Sequence, residues 1–103
     1  LTLDFMKAGA VGVVSVASNL IPGAIAELAG AALKSEWGEA EAVHDKYSAL
    51  FSAFLTLDTN PVPIKAALAL AGKCLPKLRL PMVEMTEENV SELKGILASL
   101  DLV

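Results

Sequence analysis

Between Lys7 and Glu27 run nineteen residues without a formal charge, Ala8 to Ala26, and no other stretch restricts the fold of this chain so sharply. That length approaches the ~20 apolar residues of a bilayer-spanning helix. Ser15, Ser18, Asn19 and Pro22, with Gly9, Gly12 and Gly23, speak against a span. The run divides in two instead. Val11-Gly12-Val13-Val14-Ser15-Val16 is short and β-branched, which suits a strand buried on both faces of a parallel sheet. Asn19-Leu20-Ile21-Pro22 reads as a loop, with Pro22 placed to open a helix. The run predicts a buried strand and no membrane.

The rest of the chain reads as helices. Thr2–Ala8 is a helix end closed by Gly9, and a helix runs from about Pro22 to Lys34 with Ile25, Leu28, Ala29, Ala32 and Leu33 on one face. Ser35 is a candidate N-cap for a long helix reaching about Leu57. Trp37, Tyr47, Phe51 and Phe54, four of the five aromatics, fall on that helix and predict it as the spine of the core. Asp58-Thr59-Asn60-Pro61 breaks it. Ile64–Ala71 is helical and closed by Gly72, Leu75–Met85 is an extended connection, and Thr86 caps a last helix striped by Val90, Leu93, Leu97 and Leu100.

Composition narrows the function. With 54% hydrophobic residues in 103, the chain can bury a core and is not disordered. Its net charge of −4 leaves no basic stripe for nucleic acid. The single cysteine, Cys74, excludes an internal disulfide and points to a reducing compartment. One histidine cannot furnish a usual metal set: His44 with Asp45 and Glu41 gives two possible ligands where three or four must converge. Lys65 is a candidate imine-forming lysine, but its plain reading is a solvated lysine at a helix start. Cys74, beside Lys73 and near Lys77, lacks an evident base and reads as an ordinary thiol. Ser15 has no Gly-x-Ser-x-Gly elbow, and the glycines spell no phosphate loop. No cofactor is expected.

A lone buried strand leaves its backbone groups unpaired, so its neighbours must come from another copy or from residues upstream. A Leu at position 1, with no basic segment before the first apolar run, predicts a piece of a longer protein without a targeting signal. A helix, a βα unit and a helical appendage are how a (β/α)₈ barrel ends. The fold class expected is therefore mostly α. Residues 1–35 would be the end of a TIM barrel, with last strand 11–16 and last helix 22–34, and 36–103 a C-terminal domain of three helices.

Three segments carry a resemblance. Ala10-Val11-Gly12-Val13-Val14-Ser15-Val16-Ala17-Ser18-Asn19 resembles the last barrel strand and following loop of the dihydrodipicolinate synthase family. Thr59-Asn60-Pro61-Val62-Pro63-Ile64-Lys65-Ala66-Ala67-Leu68 resembles its helical-domain signature. Leu78-Arg79-Leu80-Pro81-Met82, followed by Thr86-Glu87-Glu88-Asn89, is similar to its closing segment. The resemblance implies a class I lyase that condenses pyruvate with aspartate semialdehyde through a Schiff base, in lysine and diaminopimelate biosynthesis. It also implies a cytoplasmic homotetramer. The imine-forming lysine and the Tyr and Thr proton relay would lie upstream, so this chain alone should be inactive. The one site residue the resemblance carries over is Val14, whose main-chain carbonyl would contact bound pyruvate. Two alternatives stand beside it: another pyruvate-dependent aldolase of that family, or a free-standing oligomeric helical interaction module.

Overall fold

The computed structural model describes residues 1–103. It contains five α-helices and one short 3-10 turn: α1 (Thr2–Lys7), the turn (Ala17–Asn19), α2 (Pro22–Leu33), α3 (Trp37–Thr56), α4 (Val62–Leu70) and α5 (Glu87–Ser99). Contacts divide the chain into two compact units, Leu1–Ser48 and Ala49–Val103, so the residues of α3 belong partly to each.

Sequence explains where most helices start and stop. Pro22 occupies the first turn of α2, where its missing N–H costs no hydrogen bond. Thr86 caps α5, its hydroxyl accepting from the Asn89 amide at 3.3 Å, and Glu87 and Glu88 face the positive end of the helix dipole. Four of the five helices end alike. At the end of α1, Gly9 and Ala10 donate to the carbonyls of Met6 and Phe5, and at the end of α4 Gly72 and Lys73 donate to Ala69 and Leu68. Both glycines have positive φ, +108° and +73°, the left-handed residue that a Schellman ending requires. Ser35 closes α2 in the same way at φ 59°, and Asp101 closes α5 at φ 56°. Ser35 therefore does not take up the extended backbone of an N-cap residue at the head of α3. Its amide donates to Ala32 and that of Glu36 to Ala31, which makes it the closing residue of α2.

In the first unit, α1 and the 3-10 turn both pack on α2. Leu3, Met6, Ala31, Ala32 and Ala40 form a buried cluster, with Ala29 and Trp37 packed against it. Lys7 reaches Glu41 in an exposed ion pair. In the second unit, α4 packs on α5. Leu50, Val62, Pro63, Leu93 and Leu97 are the fully buried larger side chains there. Asn89 adds a polar tie, donating from its side-chain amide to the Leu57 carbonyl at 2.7 Å.

Two expectations are corrected. Residues 11–16 form no strand: they belong to neither helix nor sheet, and Val11 and Val14 are 83% and 106% exposed. A strand exists only as part of a hydrogen-bonded ladder. No backbone–backbone bond within the chain engages residues 11–14, because no second extended segment lies beside them. The aromatic spine of α3 is also only partial. Phe54 is buried, but Trp37, Tyr47 and Phe51 are half-buried, and the fully buried side chains are aliphatic. Trp is rarely enclosed completely and Tyr only sometimes, whereas Ala40 and Leu50 are small enough to vanish into the core.

Candidate functional site

The first candidate region is the segment between α1 and α2. Gly9 at positive φ ends α1 and releases the chain into residues 10–16. The segment then closes on itself through local polar contacts. Ser18 donates its amide to the Ser15 hydroxyl at 3.2 Å and its own hydroxyl to the Ser15 carbonyl at 2.6 Å. The Asn19 side chain donates to the Val16 carbonyl at 3.0 Å. These bonds build the 3-10 turn and account for Ser15, which serves as a turn cap. Val14 lies just before this turn, with backbone groups that have no backbone partner in the chain. Such a carbonyl can serve a ligand or a neighbouring strand.

The second region lies in the Ala49–Val103 unit. Pro61 and Lys65, from the start of α4, and Lys77, Leu78, Arg79 and Met82, from the connection to α5, line an open cleft of about 480 Å³. Lys65 is half-buried, while Lys77 and Arg79 are exposed. Lys77 also pairs with Glu84 at 3.1 Å. Lys65 stands out in the sequence by itself, whereas the fold adds Lys77 and Arg79, from the connection to α5, to the same cleft. Long-range placement of this kind has no local signature in the chain.

The remaining candidates do not converge. No group of three or more His, Cys, Asp or Glu side chains is arranged to hold a metal. His44 is half-buried on α3 next to exposed Asp45. Cys74 is an exposed free thiol whose sulfur lies 3.9 Å from the Lys65 carbonyl. No helix is long and apolar enough to cross a membrane.

The unpaired segment at Val14 and the cationic cleft at Lys65 are the two places where this chain offers groups to a ligand or a neighbour. Comparison with known proteins gives the chain a family. The model of the dihydrodipicolinate synthetase family matches residues 1–100. The 4-hydroxy-tetrahydrodipicolinate synthase of Koribacter versatilis is 45% identical over 98 residues, which cover 95% of this chain and 32% of that protein. The crystal structure of dihydrodipicolinate synthase from Aquifex aeolicus superposes with a TM-score of 0.95 at 39% identity, covering 99% of this chain and 34% of that one. The chloride-inhibited enzyme from Acinetobacter baumannii, solved in complex with pyruvate, gives a TM-score of 0.93 at 27% identity, covering 98% and 34%. The chain belongs to the dihydrodipicolinate synthetase family, as its three sequence segments implied. It spans about a third of the length of the curated relatives it matches.

Proposed function

We propose that this chain is the C-terminal part of a lyase that condenses pyruvate with aspartate semialdehyde to 4-hydroxy-tetrahydrodipicolinate, in lysine and diaminopimelate biosynthesis. One observation carries the reading: sequence and backbone follow relatives of that name from end to end, yet cover only a third of them. In this reading residues 1–35 close a (β/α)₈ barrel and residues 36–103 form a helical domain appended to it. Residues 11–16 become the last barrel strand when neighbouring strands supply the hydrogen bonds that the isolated segment lacks.

The chemistry follows from that placement. Active sites of such barrels lie at the C-terminal ends of the strands. Val14, near the end of its strand, presents its main-chain carbonyl to bound pyruvate. The reaction begins when a lysine amine adds to the C2 carbonyl of pyruvate and water leaves, giving an imine. Loss of a C3 proton gives the enamine, which attacks the aldehyde of aspartate semialdehyde and forms the new carbon–carbon bond. The imine-forming lysine belongs to the barrel outside these residues. Lys65, near the start of α4, keeps its plain reading as a helix-start lysine. The whole enzyme is read as a cytoplasmic homotetramer, and this chain alone as catalytically silent.

The reading is tested with the gene product as expressed in its source. Given pyruvate and aspartate semialdehyde, it should consume both, and borohydride should inactivate it only when pyruvate is present. Consumption of pyruvate with a different aldehyde, but not with aspartate semialdehyde, would point to another aldolase of the family. No borohydride trapping at all would overturn the Schiff-base reading.

A further inference from the structure

The cleft at the start of α4 is unlike the surface around it. The chain carries 12 acidic and 8 basic residues, yet the cleft walls hold three cations and no carboxylate. Lys65 rises from α4, and Lys77 and Arg79 come from the connection. One of the three is partly answered, since Lys77 reaches Glu84 at 3.1 Å, but no ion pair engages Lys65 or Arg79. Pro61, the cap residue of α4, forms part of the wall, so the positive end of that helix dipole adds to the same field. Pro61 and Pro63 have no N–H to offer, which leaves the side chains as the main donors of the cleft. Half-buried Leu78 and Met82 complete the wall with apolar surface. The cleft is open to solvent and offers about 480 Å³.

We infer that this cleft binds a small polyvalent oxyanion, of the phosphate or dicarboxylate type, between Lys65 and Arg79. The planar guanidinium of Arg79 supplies two parallel donors to one oxyanion group, and the Lys65 ammonium supplies a point charge on the other side. Glu84 competes with the ligand for Lys77 and so limits affinity. The inference does not depend on the barrel reading, because every residue in it belongs to the Ala49–Val103 unit.

The test is the melting temperature of the gene product as expressed in its source, titrated separately with inorganic phosphate and with succinate against sodium chloride of equal ionic strength. Phosphate, succinate or both should raise it beyond chloride, which identifies the preferred anion class. Lys65→Gln should weaken the apparent Kd about tenfold, the cost of one charge-assisted hydrogen bond, and Arg79→Gln, which removes a two-donor contact, by more than that. Glu84→Gln should tighten it by releasing Lys77, a gain that a merely damaged fold would not give. Lys34→Gln, in the other unit, should change nothing. Equal effects of all three salts would overturn the inference. So would a selective shift that survives both Lys65→Gln and Arg79→Gln, which would mean an adventitious ion only.

Discussion

At the residue scale, the helix ends give the sharpest account of stability. A left-handed backbone costs an L-residue about 1–2 kcal/mol, and glycine avoids it while giving up about 0.5–1 kcal/mol of unfolded-state entropy. Ser35 holds that conformation at φ 59°. Ser35→Gly should therefore stabilise the chain by about 0.5–1 kcal/mol, read as a higher urea midpoint with unchanged slope. Gly72 gives the opposite case. A Cβ there meets nothing within 4 Å, so Gly72→Ala suffers only from its φ of +73° and should cost about 1 kcal/mol. Gly95, exposed inside α5 with open space around it, should gain about 0.5–1 kcal/mol on change to Ala. If Gly72→Ala and Gly95→Ala moved the midpoint in the same direction, this account of the glycines would be wrong. Gly9 and Gly72 were legible as helix stops because glycine is the usual residue at such an end. Ser35 was not, because serine is common before a helix and its left-handed role depends on the α2 carbonyls behind it.

At the element scale, α5 is held by its cap, its buried stripe and one polar tie. Leu93 and Leu97 are fully buried, one turn apart. Leu93→Ala should cost about 2–5 kcal/mol, a large share of a domain's total stability. The Asn89 side chain satisfies the Leu57 carbonyl, just beyond the end of α3, which α3's own amides cannot reach. Asn89→Ala should lower stability by about 1–2 kcal/mol, and Thr86→Ala by about 1 kcal/mol. Denaturant titrations of the single and double variants measure whether the two losses add. Helices α2 to α5 could be read from apolar spacing, and α5 also from its Thr86 cap, because those signals are local. The segment 11–16 could not, since its β-branched pattern states what it would pair with and the chain holds no such partner. The cleft was illegible for a related reason: Lys65 and Arg79 are fourteen positions apart and meet only through the fold.

At the scale of the whole molecule, the chain has cores that hold its helices and a surface that asks for more protein. Val11, Val14, Phe5 and Leu33 are all exposed in the Leu1–Ser48 unit. Apolar side chains in such number on one small unit favour association. By itself the chain should elute larger than a 10.7 kDa monomer in light scattering, through pairing of residues 11–16 between copies or exchange of the first segment. A sharp monomeric peak would count against that. Under the proposed function Val14 would act through its backbone in a barrel strand of the whole enzyme, so Val14→Ile should leave kcat/KM for pyruvate unchanged, whereas Val14→Pro should abolish activity by reshaping that strand. The central claim is that these 103 residues close an enzyme whose reactive lysine lies elsewhere in the same polypeptide. Its most direct test is one mass spectrum of the native gene product after treatment with pyruvate and borohydride, followed by mapping of the modified peptide. The account predicts a polypeptide about three times this length, with one reduced pyruvate adduct on a lysine outside the present sequence. An adduct on Lys65, or a native product of this length that takes up no pyruvate, would contradict it.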